Sequence, residues 1–528
     1  MPRPGFVLEV DRSTPPVLIW HGEGFRLERL PAARSRVIYA PEPLAPLPDP
    51  DAAVARALDN PLGGSQPLRE LLRPGMRLTV AFDDLSLPLP PMRRPDNRQR
   101  VIEAVLEIAA SAGVDDVVLI AALGLHRRMT EPELRHALGD RIFDAFSPSG
   151  KLLQHDAEDP AQLVMVGETD HGEEVEVNRR VAESDLLVYV NINLVTMDGG
   201  HKSTSTGLMS YRSVRSHHNV RTLQHSRSLM DRPNSELHTS TWRIGRLLAK
   251  HVKVFQVETT LNNDAFPSEM AFLQKREWEW GLRDRATFLA ASRGLELLPP
   301  GAKRSVLHSI NAPHQMTSVQ AGEVEAVHEA TIAQLHRQQL VDVEGQSDIV
   351  IFGLPHVGPY NVNSIMNPLL VMCMGLGYFF NFYIGKPLVR PGGAVIISHP
   401  TPWAFHPVHH PSYIDFFEEV LSVTTDPLQI EKGYEERFAT DEWYRHLYRT
   451  SYAYHGVHPL YMWYWGAHAL EYAGSTIIVG GNRKAVRRMG FRPATTLADA
   501  LEIAEDQVGR DPTITYFRCP PIMLANVH

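Results

Sequence analysis

Asp185-Leu-Leu-Val-Tyr-Val-Asn-Ile192, followed after a short gap by Asp198-Gly-Gly-His-Lys202, is the stretch that decides the fold. Its first part is an unbroken apolar run, which reads as a strand buried on both faces, the kind found in parallel sheets. Ligands of such sheets gather outside the carboxyl ends of the strands. There Gly199 and Gly200 let the chain turn sharply and leave room for a bound group beside the backbone. The Lys202 amine next to them is either a solvated loop cation or, taken out of water, a nucleophile. Further on, Ser216-His-His-Asn219 presents His218, an imidazole of the kind that ligates nickel, zinc or copper.

Outward from this strand the pattern repeats. Arg77-Leu-Thr-Val-Ala-Phe82 reads as a strand ending in Asp83-Asp84, Asn97 to Ala112 as a helix, and Val117 to Ala122 as the next strand. Val101, Ile102, Val105, Leu106 and Ile108 fall largely on one face of that helix. The order predicts a parallel, doubly wound sheet. Asp84 at a strand end either turns the chain or holds a sugar hydroxyl or a catalytic group. Gly124-Leu-His126-Arg127 follows the next strand at the same sheet end, which makes His126 a candidate general acid/base. Arg212, Arg215 and Arg221 around His218 suit a phosphate or a solvated helix face.

The first 35 residues alternate around Val17-Leu-Ile-Trp and Phe25-Arg-Leu-Glu, predicting a hairpin on a sheet edge. Leu298-Pro-Pro-Gly301 has the turn chemistry of a boundary. Beyond it strands recur at Asp348–Gly353, Gly393–Ser398, Ser475–Gly480 and Thr513–Phe517. The expectation is therefore an α/β protein of two domains with largely parallel sheets, residues 1–297 and 298–528, and a site in the cleft between them. The last helix or strand is free to return to the first domain.

Composition excludes several classes. With 43% hydrophobic and 21% charged residues the chain is globular rather than disordered. Its net charge of −9 comes without a basic block, which argues against nucleic acid or an anionic membrane as partner. Cys373 and Cys519 are the only cysteines, and the amino terminus lacks the apolar core of a signal peptide, so a reducing cytoplasm is expected. Pro368 to Gly385 is nearly all apolar, but Gly375, Gly377 and Asn381 interrupt it; it predicts a buried helix followed by a strand, Tyr378 to Ile384. His399, His406, His409 and His410 share a proline-rich loop that suits zinc, substrate contact or plain surface histidines.

The stretch around Lys202 and His218 resembles the lactate racemase family. Asn60-Pro-Leu-Gly-Gly-Ser65, Leu68-Arg-Glu-Leu-Leu-Arg-Pro-Gly75, Phe82-Asp-Asp-Leu-Ser-Leu-Pro-Leu-Pro90, Gly124-Leu-His-Arg-Arg-Met-Thr130 and His155-Asp156 add to the resemblance in the right order. It implies an isomerase, a racemase or epimerase of a small 2-hydroxy acid, whose nickel-pincer nucleotide is joined to Lys202 through a thioamide and supplied by cofactor-biosynthesis enzymes. His218 would complete the nickel coordination, Asp84, Gly199, Gly200 and Arg127 would surround the cofactor, and His126 would be one of two catalytic histidines.

Two departures stand out. The family's Asp-x-x-Arg reads Asp84-Leu-Ser-Leu87, and an aliphatic Leu87 binds no anion; Arg93, Arg94 and Arg98 are the nearest replacements. The family's Pro-His between strand and glycines has no counterpart in Ile192 to Met197, which leaves His201 as the nearest second base, with His155 and His406 to His410 behind it. Two rival readings are a non-catalytic relative that senses a nucleotide or hydroxy acid, and a zinc hydrolase built on His399 to His410.

Overall fold

All eight residues of Leu186–Asn193 are buried, so this strand has to be covered on both faces and flanked on both edges. The computed structural model describes residues 2–528. In chain order β1 (Phe6–Glu9), the hairpin β2 (Val17–His21) and β3 (Gly24–Glu28), and β4 (Ser35–Tyr39) come first. β5 (Arg77–Asp83), β6 (Asp116–Ala122) and β7 (Leu152–Gln154) follow, then a ribbon of β8 (Leu163–Glu168) and β9 (Glu174–Asn178), then β10 (Leu186–Asn193), β11 (Val254–Leu261) and β12 (Met316–Gly322). The remainder supplies β13 (Leu340–Val343), β14 (Ser347–Gly353), β15 (Tyr383–Ile384), β16 (Val389–Ser398), β17 (Ser475–Val479), β18 (Arg492–Ala494), β19 (Ile514–Arg518) and β20 (Leu524–Val527).

Two large sheets result, and the α/β class with largely parallel sheets is as expected. The first has the order β12-β11-β10-β5-β6-β7, parallel except for β12. The second has the order β1-β4-β19-β14-β16-β17-β18, parallel except for β1. The helix Asn97–Ser111 links β5 to β6 as the expected crossover, its first turn capped by the Asp96 carboxylate and its buried face made by Val101, Ile102, Val105 and Ala109.

Sheet membership does not follow a boundary at 297/298. β12 belongs to the first sheet, whereas β1 and β4, from the first 40 residues, form an edge of the second through β4 and β19. Nor does the end of the chain return to the first sheet: β19 lies between β4 and β14. A boundary read from turn chemistry marks where the chain bends, and Pro299 does interrupt two helices, Leu282–Leu297 and Pro300–His308. Which strands pair is decided by contacts far apart in sequence. One apolar cluster joins the sheets, with Tyr189 and Val195 of the first and Phe352, Ile397 and Phe517 of the second in it.

The apolar run from Pro368 is helical for longer than predicted. It passes from the helix Pro368–Met372 through a wide turn at Cys373–Tyr378, and only Tyr383–Ile384 is strand. A side chain at Gly375 would meet Ile397, and one at Gly377 would meet Trp465, so the glycines let this turn lie against its neighbours. Among the described residues no helix is long and apolar enough to cross a membrane.

Candidate functional site

The carboxyl ends of β5, β6, β10, β14 and β19 open onto one cavity of about 230 Å³, far more space than one water needs. Each strand end contributes to its wall: Ser86 and Leu87 after β5, His126 after β6, Asp198 and Lys202 after β10, Tyr360 after β14 and Ile522 after β19. His218 and Trp465 complete the side near Lys202.

His126 is held by a buried carboxylate. Its Nδ1 donates to Asp84 Oδ2 at 2.7 Å, while Asp84 Oδ1 accepts from the Ser86 amide and hydroxyl at 2.9 and 2.5 Å. Asp84 therefore does both things left open by the sequence, closing the turn and orienting the histidine. It does not line the cavity itself and reaches it only through His126. Burial alone pushes the Asp84 carboxyl up, but the His126 charge and the hydrogen bonds from His126 and Ser86 outweigh it and hold it below its usual range. The carboxylate stays ionised, and His126 presents Nε2 to the cavity side.

A chain of hydrogen bonds sets the tautomer of His218. The carbonyl of Ser205 only accepts, so His217 Nε2 donates to it at 3.0 Å. His217 is pushed down to about 4 by burial and is neutral, so its Nδ1 carries the lone pair that accepts from His218 Nδ1 at 2.7 Å. His218 Nε2 is then left with a free lone pair, the form of imidazole that ligates a metal. Trp465 stacks on the ring at 5.1 Å between centroids and fixes its plane.

The Lys202 helix, Gly200–Gly207, is tied to the strand end beneath it. Asn191 Nδ2 donates to both Asp83 Oδ1 and Ser203 Oγ at 2.8 Å, and the Gly200 amide donates to Glu258. Asp198 accepts from the Leu194 and Val195 amides and closes the preceding loop. Burial raises its carboxyl, and the Lys202 charge works against that rise.

Several expected site residues lie elsewhere. Gly199 and Gly200 do not line the cavity: added side chains would run into Asn193 and Glu258, and into Trp242 and His328. Both have positive φ, +86° and +57°, so Gly199→Ala should cost about 2 kcal/mol or more in a denaturant titration. A stability unchanged within 0.5 kcal/mol, on the order of surface-substitution noise, would contradict this account of the turn. Arg127 is a buried partner of Glu133, which it meets through two nitrogens at 3.0 and 2.7 Å. His201 points to Glu325 and packs edge-on to Trp242, away from the cavity. Arg98 is taken up by Asp96 and the Asp83 and Asp84 carbonyls, and Arg94 by Asp140. No arginine is among the lining residues, and Leu87 is.

The histidines behind these fare no better. His155 donates to the Met209 carbonyl and accepts from Asn178. His410 donates to the Tyr360 carbonyl, and the His406 and His409 rings lie 4.0 Å apart off the cavity. Among the described residues no three histidine, cysteine or acidic side chains are grouped to hold a metal ion, so the loop from His399 to His410 does not assemble a zinc site.

Two cavity histidines escaped the sequence. His314 donates from Nδ1 to the Asn262 carbonyl at 3.0 Å, leaving Nε2 with a lone pair and no protein partner. His356, just beyond β14, has Glu23 3.6 Å from Nδ1 and likewise an unpartnered Nε2. Neither sits in a motif; each reaches the cavity only because a distant strand end comes there.

The pattern of the lactate racemase N-terminal domain matches residues 21–231, the segment that carries Asp84, His126, Lys202 and His218. This segment is similar to the N-terminal domain of lactate racemases. The lactate racemase of Lactiplantibacillus plantarum is 26% identical over 171 residues, 31% of this chain and 37% of that protein. That of Thermoanaerobacterium thermosaccharolyticum is 25% identical over the same shares. The matches thus span little more than a third of each curated relative. The fold likeness is wider: the lactate racemase apoprotein from T. thermosaccharolyticum superimposes with a TM-score of 0.63 at 19% identity, covering 97% of this chain and 99% of that chain. A structural-genomics protein from Thermotoga maritima gives 0.50 at 14% identity, over 91% and 97%.

The residues present have the chemistry to hold the nickel-pincer nucleotide that the resemblance implies. Lys202 and the free Nε2 of His218 share one cavity, and Thr206 Oγ1, Gln339 Oε1 and Trp465 Nε1 are buried polar atoms on its wall without protein partners. Orphaned polar groups of this kind call for a polar ligand.

Proposed function

We propose that the protein is a cytoplasmic 2-hydroxyacid racemase or epimerase that works with a nickel-pincer nucleotide held by Lys202 and His218. The observation that carries this is the convergence of Lys202, the His218 lone pair and the His126–Asp84 pair on one cavity. The buried, unpaired Cys373 and Cys519 suit a reducing compartment. When bound, such a cofactor would supply a reversible hydride acceptor for C2 of the hydroxy acid.

The chain's own work is proton transfer and positioning. His126 Nε2 takes the 2-hydroxyl proton and gives it back, while the ionised Asp84 steadies the imidazolium that forms. Inversion asks for a second such group on the other side of the Lys202 strand. His314 stands there: β6 and β12 each lie two strands from β10, on opposite sides, and the entry to antiparallel β12 is at the same sheet end as His126. His314 lines the same cavity, and its Nε2 is buried without a protein hydrogen-bond partner, which makes it the candidate for the second base.

Nickel analysis and intact mass after co-expression with the cofactor-making enzymes test the reading. Wild type should carry nickel and a covalent mass increment, Lys202→Ala neither, and His218→Ala the increment with much less nickel, since one lost ligand weakens metal binding directly. Absence of nickel from the wild type, or nickel unchanged in His218→Ala, would remove the assignment.

A further inference from the structure

The segment between β11 and β12, residues 262–315, is a helical insertion that packs against the β2–β3 hairpin. Phe266, Phe272, Trp280 and Phe288 of the insertion join Trp20 and Phe25 of the hairpin in an apolar cluster of their own, apart from the main core. The inner side of this cover forms the far wall of the cavity through Trp20, Phe266, Met270, Leu307 and Ile310. Leu87 also lines the cavity, at the position where the resemblance implies an arginine. Among the described residues Lys202 and Asp198 are the only lysine, arginine or acidic side chains on the lining, and Lys202 is committed to the cofactor in the proposed function.

We infer that the substrate is a 2-hydroxy acid with a branched or aromatic apolar side chain, which this wall encloses. The inference rests on the hydroxyacid reading given above. A three-carbon acid would leave the wall unfilled. A larger side chain gains by burial against Phe266, Met270, Leu307 and Ile310, and one extra methylene in such a pocket is worth about 10-fold or more in kcat/KM.

The test uses the cofactor-loaded enzyme and the apoprotein side by side, with L-lactate, L-2-hydroxy-4-methylpentanoate and L-3-phenyllactate as probes. Chiral chromatography should give a kcat/KM for at least one of the two larger acids at least about tenfold above that for lactate. The apoprotein melting temperature should rise with the larger acids and not with lactate. Ile310→Asn and Met270→Ser, at two separate points of the wall, should each narrow the ratio while leaving nickel content unchanged. Lactate turned over as well as the larger acids would overturn the inference and leave the racemase reading standing. Stabilisation by the larger acids without turnover of any probe would support the pocket and overturn the reading. Neither stabilisation nor turnover would overturn both.

Discussion

His126→Ala should slow racemisation by about two to four powers of ten while nickel content and fold stay intact, the usual contribution of a positioned acid/base. The ring is half-buried and its Nδ1 is engaged by Asp84, so removing it deletes the proton acceptor and leaves a buried carboxylate without its partner. Asp84→Asn should act in the same direction, because an amide no longer holds the ring in the tautomer that presents a lone pair at Nε2. His314→Ala tests the second side and should also lose inversion. Run in deuterated water, the wild type should keep the original hydrogen on C2, since it travels as hydride and not as a proton. Full activity in His126→Ala, or solvent deuterium at C2 at the rate of turnover, would rule the mechanism out.

Acid should unfold this protein early, because the interior holds neutral histidines that the unfolded chain would protonate. Burial pushes His155 and His314 down to about 4 and His356 to about 3, and pushes His238, His399, His410 and His458 well below their ordinary range. A histidine with a depressed folded pKa contributes stability that is present above the unfolded value near 6.5 and is lost as pH falls toward the folded one. For a group at about 4 the loss between pH 7 and pH 5 is roughly 2 kcal/mol, so three such groups cost roughly 6 kcal/mol, comparable to the whole stability of many domains. Asp83 and Glu435 act the other way, since burial raises each to about 7 and their folded forms gain protons over the same range. Burial raises Asp198 and Asp264 as well, so four carboxyls stand against at least seven imidazoles. The midpoint of urea unfolding should therefore fall steeply from pH 7 to pH 5, and His155→Asn should make the slope shallower. A midpoint constant over that interval would show that these rings are not neutral in the fold.

Much of the first sheet was legible from local pattern. The apolar run of β10, the one-sided helix from Asn97 and the strand at Val117 specify parallel βαβ units through burial periodicity alone, and His126, Lys202 and His218 stood out because each lies in a short motif at a strand end or just beyond one. Their convergence followed from the rule that the carboxyl ends of parallel strands share one side of a sheet. What lay outside local pattern was decided by pairing and packing at long range. β1 and β4 joined the second sheet because β4 found β19, a choice neither strand encodes by itself. His201 looked like a catalytic base by adjacency to Lys202, yet neighbours on a helix point in different directions, and it faces Glu325. Arg127 and Arg98 were drawn into internal ion pairs because a buried guanidinium without a partner is too costly. The tautomer of His218, the insertion that walls the cavity and the arrival of His314 depend on residues brought together from separate strands, so they exist only in the folded chain.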